Sequence, residues 1–156
     1  MPQGYQDNPG VVAPPPLIYA VPLAVGVYLN RRSPFELMPG NLARIIGVTL
    51  GIVAIILSLA AAIQFWRART PMMPYKSTTA IIESGPFAIS RNPLYLAMTL
   101  GYVAISLVFN TAWPLLFLPL VLLVMYRGVI AREERYLQQK FGERYVEYMG
   151  RVRRWL

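Results

Sequence analysis

Long stretches without a charged side chain constrain this sequence more than any other feature. Residues 45–66 contain no charged residue, and neither do residues 94–126. A bilayer core about 30 Å thick is crossed by roughly 20 helical residues, so the first run is long enough to span once and the second twice. A further uncharged run, residues 11–29, is interrupted by prolines. The sequence therefore predicts an integral membrane protein.

The predicted fold class is all-α, a polytopic membrane protein with about four transmembrane helices and a C-terminal cytoplasmic amphipathic helix. The turn chemistry of residues 110–114 splits the longest uncharged run into a helical hairpin. The predicted spans are residues 17–29, 42–66, 94–109 and 115–126. Residues 1–156 form one integral membrane domain, made of a flexible N-terminus (1–16), the first two spans, a cytoplasmic loop (67–93), the hairpin (94–126) and a cytoplasmic tail (127–156).

Local signals place the helix boundaries. Asn41 and Asn92 each precede an apolar run and are predicted N-caps, and Pro93 suits the first position of a helix. Residues 78–82 are predicted to be extended. The last span is expected to continue as one helix out of the membrane until Gly142, where the first helix breaker occurs.

The charge distribution predicts the topology. The net charge is +8, and residues 67–93 carry four basic residues against one acidic, while residues 127–156 carry eight against four. Basic loops beside spans are typical of the cytoplasmic face, so nucleic acid is not needed to explain them. A hairpin puts both basic segments on that face. Four spans put the N-terminus there too, which leaves Arg31 and Arg32 on the opposite face, against the charge rule.

The residue types that are missing exclude several kinds of chemistry. The sequence has no cysteine and no histidine. It therefore has no thiol nucleophile or thiolate metal ligand, and it lacks the most common general base, so no metal site is predicted. The N-terminus also lacks the basic region of a signal peptide, and the first apolar run is not expected to be cleaved.

Two polar blocks are predicted to meet at the cytoplasmic edge. Asn92 and Pro93 begin the third helix there, and the fourth helix returns to that edge shortly before Glu133. The first turn of a helix offers unpaired N–H groups and positive potential, which suit a carboxylate. A glutamate nearby suits an amine, a ribose hydroxyl or a cationic sulfur. Together these groups complement a zwitterionic ligand that carries a positive centre.

The order of these blocks resembles the isoprenylcysteine carboxyl methyltransferase and phospholipid methyltransferase family. The resemblance covers roughly residues 70–156 and is carried by Ser84-Gly-Pro-Phe87, Arg91-Asn-Pro-Leu-Tyr95, Glu133-Glu134, Phe141-Gly142 and Tyr145. It implies S-adenosylmethionine as cofactor, S-adenosylhomocysteine as product, and catalytic roles for Arg91, Tyr95 and Glu133. The implied cofactor contacts are Thr79, Ala80, Ile81, Ile82, Phe87, Asn92, Pro93, Leu94, Tyr95 and Glu133. Arg127 and Arg132 are candidates for substrate binding.

The resemblance implies methyl transfer to a hydrophobic or lipid-like acceptor that enters from the bilayer, with the active site on the cytoplasmic face among membrane lipids. The acceptor could be a carboxylate, as in isoprenylcysteine methylation, or a lipid or quinol-like molecule. Two positions depart from the family pattern: Asn92 stands where histidine is common, and Val129 where the prenylcysteine enzymes have arginine. The alternatives are an NADPH-dependent membrane reductase of the sterol-reductase type and a non-catalytic membrane scaffold.

Overall fold

The computed structural model describes residues 7–156, which form helices and irregular connections and contain no β-strand. The predicted all-α class is confirmed. A short 3₁₀ turn, Gly85–Ala88, precedes the third helix, and a π-helical turn, Tyr126–Ile130, joins the fourth to the fifth. The α-helices are α1 (Pro15–Arg32), α2 (Leu42–Arg67), α3 (Pro93–Val108), α4 (Trp113–Met125), α5 (Ala131–Phe141) and α6 (Glu143–Arg151).

Proline and glycine define the ends of several helices. Pro93 is the first residue of α3, a position at which the missing N–H would have no partner within the helix. Helix α4 continues through the π-turn into α5, and Gly142 then breaks the helix with a φ of +57°. Glycine adopts this left-handed conformation without the penalty that a Cβ imposes. The helix is therefore continuous up to Gly142, as the sequence predicted.

Small residues allow α2 and α3 to pack closely. A Cβ added to Gly47 would lie 2.8 Å from the carbonyl oxygen of Ala104 and from the backbone nitrogen of Val108. Gly51 faces the same neighbour at a wider spacing, with its added Cβ 3.8 Å from the Cβ of Ala104. Glycine and alanine at a helix contact let two backbones approach, as in many membrane helix pairs. This contact fixes α3, and with it the polar residues at its start.

The loops at the two ends of the helices differ in character. At one end, the N–H of Ala112 donates to the carbonyl of Phe35 and the indole Nε1 of Trp113 donates to the carbonyl of Ser33, each at 2.8 Å. This end is built from short connections. The opposite end gathers residues 7–14, 68–92 and 126–156, which include most of the polar residues singled out in the sequence.

Two helices are long and apolar enough to cross a membrane. They are α2, with 26 residues, and the continuous helix Trp113–Phe141, with 29. Exposed aliphatic side chains such as Ile52, Ile55 and Leu59 cover the outer face of α2, which would suit lipid better than water. Helix α3 is also apolar but has only 16 residues.

Some local expectations differ from the structure. Asn41 and Asn92 occupy the N-cap positions of α2 and α3 as predicted, but neither makes a side-chain capping hydrogen bond. The amide of Asn92 instead donates to the carbonyl of Arg154 at 2.9 Å, because residues 152–155 lie against the start of α3. Residues 78–82 are irregular and form no strand. Part of the predicted flexible N-terminus, residues 1–6, lies outside the described residues, whereas residues 7–14 make specific contacts.

Candidate functional site

A cavity opens at the polar end of the helices, between the loop after α2, the first turn of α3, and helices α5 and α6. It contains about 840 Å³ of space free of protein atoms, including its open mouth. Its lining combines apolar and aromatic side chains with a few charged and polar ones, a combination that is common in ligand sites.

Most of the predicted site residues line this cavity. The exceptions are Thr79, whose place is taken by Thr78, and the two arginines proposed for substrate binding. Arg127 is exposed, and Arg132 donates to the carbonyl of Gly10 at 2.8 Å. The predicted residues that the cavity brings together are Ala80, Ile81, Ile82, Phe87, Arg91, Asn92, Pro93, Leu94, Tyr95 and Glu133.

Tyr95 and Glu133 are joined across the cavity. The hydroxyl of Tyr95 donates to Oε1 of Glu133 at 2.7 Å, although the two residues are 38 positions apart. Tyr95 is buried in the first turn of α3, and Glu133 is half-buried in the first turn of α5. A hydrogen bond to a carboxylate is stronger than one between neutral groups. It fixes Glu133 and leaves its second oxygen able to bind a ligand group.

The neighbouring Glu134 has a different partner set. Arg154 binds it with two contacts, Nε to Oε1 at 3.0 Å and Nη2 to Oε2 at 2.6 Å. Arg91 approaches the same carboxylate with Nη2 at 3.2 Å from Oε1. The side chains of Arg91 and Glu134 are only 9% and 10% exposed. Two guanidinium groups thus share one carboxylate, and the cluster keeps a net positive charge.

Arg91 has hydrogen-bond donors that the protein does not use. Among residues 7–156, its Nε and Nη1 are buried and have no hydrogen-bond partner. A buried donor without a partner costs free energy that an incoming acceptor would recover. Because Arg91 also lines the cavity next to the start of α3, the site fits a ligand with a carboxylate at this position. The positive potential at the N-terminus of α3 favours the same kind of ligand.

Much of the cavity wall is apolar. Phe87 packs edge-on against Phe65 at the end of α2, with ring centroids 5.5 Å apart. Met72 and Met73, which are 45% and 47% exposed, line the cavity together with Pro71 and Pro74. From the sequence we did not single out Phe65, in the last turns of a predicted span, or the two methionines, although the place of the methionines just beyond that span was a usable signal.

Two tyrosines of α6 contribute to the wall as well as to packing. Tyr145 and Tyr148 pack with Val152 in one buried cluster. Both also line the cavity, and the hydroxyl of Tyr148 donates to the carbonyl of Phe87 at 2.7 Å. Burial raises the pKa of Tyr148 to about 12. This hydroxyl therefore stays neutral and holds the 3₁₀ turn in place.

Residues 7–12 form a strap across the same end of the molecule. The carboxylate of Asp7 accepts hydrogen bonds from Lys140, Ser77 and Tyr136. These contacts, led by the one from Lys140, lower the pKa of Asp7 to about 2. The N–H of Val12 donates to the carbonyl of Gly128 at 3.1 Å. Since Pro9 lines the cavity, the strap forms part of its cover.

Fold and site together define a small all-helical protein that has two membrane-length helices and, at one end of them, a cavity lined by apolar and charged side chains. Its sequence matches the phospholipid methyltransferase family over residues 42–144. The chain belongs to this family. The matched region contains α2, α3, α4, α5 and the loop that lines the cavity, whereas the strap and residues 152–155 lie outside it.

Two relatives show how far the similarity extends. The cobalt-zinc-cadmium resistance protein CzcN of Cupriavidus metallidurans is 30% identical over 105 residues, which are 67% of this chain and 46% of that protein. The chain thus spans about half the length of this relative. An uncharacterized protein of Haemophilus influenzae is 40% identical over 63 residues, which are 40% of this chain and all of the relative. Within residues 7–156, no cluster of three acidic, histidine or cysteine side chains could hold a metal ion.

Proposed function

We propose that this protein is an integral membrane methyltransferase that uses S-adenosylmethionine and methylates a hydrophobic or lipid-like acceptor. One observation carries the proposal: Arg91, with two unpaired donors, and Glu133, held by Tyr95, lie on the wall of one apolar cavity. A zwitterionic nucleoside carries a carboxylate, hydroxyl and ammonium groups, and an apolar base. Membership of a methyltransferase family supports this assignment.

Different residues of the cavity bind different parts of the methyl donor. Arg91 and the N–H groups at the start of α3 bind the carboxylate of its methionine part, because both present donors in a positive field. Glu133 accepts from a hydroxyl or ammonium group of the donor. Ile81, Ile82 and Phe87 enclose the adenine, whose faces gain from apolar and aromatic contact.

The donor supplies a methyl group that is already activated on a cationic sulfur. The protein therefore has to position the two reactants, and positioning alone can lower a barrier by about 7–11 kcal/mol. The faces of Phe87 and Tyr95 attract a cation beside them. A carboxylate acceptor needs no general base, which agrees with a chain that lacks histidine.

Apolar lining residues at and just after the end of α2 support entry of the acceptor from the bilayer. Phe65 is on the last turns of α2, and Met72 and Met73 follow where that helix has ended. Methionine side chains adapt to differently shaped apolar partners. The acceptor thus reaches the methyl group along the end of α2 without crossing the aqueous phase.

We further propose that α1 and α3 complete a set of four spans with α2 and α4. Helix α1 runs from the cavity end, at Pro15, to the end where Ser33 meets Trp113. Each of the next three helices then runs in the direction opposite to the helix before it. This arrangement puts the strap, the loop 68–92 and the tail on the cytoplasmic side, in line with the excess of basic residues there.

Binding experiments on detergent-purified protein test the proposal. Titration calorimetry with S-adenosylmethionine, S-adenosylhomocysteine and NADPH should give binding of the first two only. Folded protein that binds neither of them would refute the methyltransferase assignment, and binding of NADPH alone would favour a reductase. The variant Glu133→Gln should weaken binding of S-adenosylhomocysteine at least tenfold, whereas Glu147→Gln, on the exposed face of α6, should not change it.

The acceptor is to be identified by its product. Membranes that contain the protein are incubated with the radiolabelled methyl donor, and the labelled lipids are separated by class. Label that depends on Glu133 marks the acceptor. Base-labile label would identify a methyl ester, and base-stable label a methylated oxygen, nitrogen or sulfur of another kind.

A further inference from the structure

We infer that Arg154 is a positioning residue for ligand binding, acting through Glu134 on Arg91. The inference rests on the proposed function, because Arg91 is taken to bind the carboxylate of the methyl donor. Arg154 does not line the cavity and lies outside the region matched to the family. Its effect on the ligand is therefore indirect.

The contacts form a continuous chain from Arg154 to the cavity. Arg154 grips Glu134 with two parallel contacts, at 3.0 and 2.6 Å. A two-point contact between guanidinium and carboxylate sets the direction of the carboxylate as well as its distance. Glu134 in turn holds one nitrogen of Arg91, which fixes the direction in which the remaining two donors of Arg91 point.

The backbone beside Arg154 reinforces this arrangement. The N–H of Arg91 donates to the carbonyl of Arg153 at 2.9 Å, and the amide of Asn92 donates to the carbonyl of Arg154. The guanidinium of Arg154 also lies over the ring of Tyr126, 5.0 Å from its centroid. The start of α3 is thus bound to residues 153 and 154 by main-chain and side-chain contacts together.

Charge explains why two arginines are needed. If Arg91 were its only partner, Glu134 would neutralise the charge of Arg91 and reduce the attraction of Arg91 for an anion. Arg154 makes the stronger contact with that carboxylate and takes up part of its charge, so Arg91 keeps a positive potential toward the cavity. Loss of Arg154 should therefore weaken ligands that carry a carboxylate and spare those that do not.

A pair of ligands separates this role from a general structural one. S-adenosylhomocysteine carries the carboxylate, and 5′-methylthioadenosine is a similar nucleoside thioether without it. For Arg154→Met, we expect calorimetry to show at least tenfold weaker binding of S-adenosylhomocysteine and less than threefold change for 5′-methylthioadenosine. Arg154→Lys keeps the charge without the two-point contact and should lie in between. Arg153→Met, which changes an exposed neighbouring side chain, is the control and should match the wild type with both ligands.

The outcomes are distinct. Equal weakening of both ligands, with a lower unfolding temperature, would mean that Arg154 only stabilises the fold, and unchanged binding of both would remove it from the site; either result overturns the inference. If Arg154→Met does not fold, Arg154→Lys decides by the same comparison. Wild-type protein that binds neither ligand would instead refute the proposed function itself.

Discussion

The close contact between α2 and α3 gives a prediction whose size follows from distances. In the variant Gly47→Ala, the new Cβ would lie 2.8 Å from two backbone atoms of α3 and 2.9 Å from the Cβ of Leu107. Carbon atoms in proteins do not approach so closely. Because backbone atoms cannot turn aside as a flexible side chain can, α3 has to move as a unit.

Gly51→Ala is the matched control. It lies one helical turn further along α2, and its new Cβ would be 3.8 Å from the Cβ of Ala104, an ordinary contact. Both substitutions gain about 0.5–1 kcal/mol from replacing glycine within a helix. This gain cancels when the two variants are compared. The difference between them therefore measures the clash alone.

Overpacking of a closely packed contact costs about 1–3 kcal/mol. For a chain of this size, 1 kcal/mol corresponds to a shift of about 2–4 °C in the unfolding temperature. Gly47→Ala should therefore unfold roughly 2–12 °C below Gly51→Ala. Gly51→Ala itself should equal or exceed the wild type.

The assay is thermal unfolding of the detergent-solubilised protein, followed by circular dichroism, with all variants in the same detergent. If Gly47→Ala unfolds at the same temperature as Gly51→Ala or above it, α2 and α3 are not in the described contact. A second control, Gly101→Ala, tests the facing helix, since its new Cβ would be 3.9 Å from that of Ala54. It should behave like Gly51→Ala.

Two further predictions concern the cavity end. Asp7→Asn should speed hydrogen–deuterium exchange in residues 8–12 at pH 7, and exchange equal to that of the wild type would contradict the strap. The pKa of Asp7 is lowered from 3.8 to about 2. The stabilisation by Asp7 in the wild type is therefore complete above pH about 4 and is lost as the pH falls through 2. In this cysteine-free chain, Ser77→Cys and Lys140→Cys should cross-link through a short bifunctional maleimide and label from the same membrane face, while Ser33→Cys labels from the other. Labelling of positions 77 and 140 from opposite faces would refute the shared end.

Features that depend on nearby residues could be predicted from the sequence. The run from Leu42 to Trp66 predicted α2 to within one residue at its end, because an apolar run of this length has few alternatives to a helix. Pro93 marked the start of α3 for a similarly local reason, the restriction that proline places on its own backbone. The uninterrupted helix to Gly142 followed from the absence of a breaker.

Features that depend on distant residues could not be predicted from the sequence. Nothing in the sequence near Arg91 indicates that Glu134 is shared with Arg154, since the partners are separated by long stretches of chain and several other charges could have paired instead. Asn92 was predicted to cap α3, but a carbonyl of residue 154 takes its amide. Thr79 was predicted one position away from Thr78, which faces the cavity, because an irregular loop has no periodicity from which to read direction.

The π-helical turn at Tyr126–Ile130 has a consequence for how related sequences are compared. In an α-helix, successive residues are about 100° apart. A π-turn accommodates one extra residue, so an α-helical path through the same segment would rotate α5 by about one position. Glu133 would then no longer face Tyr95, nor Glu134 face Arg91. The identity of the carboxylate at the cavity is thus set by the length of the segment before it. For a relative that lacks the extra residue, an alignment with its gap outside residues 126–130 would equate the wrong glutamates and transfer the role of one to the other.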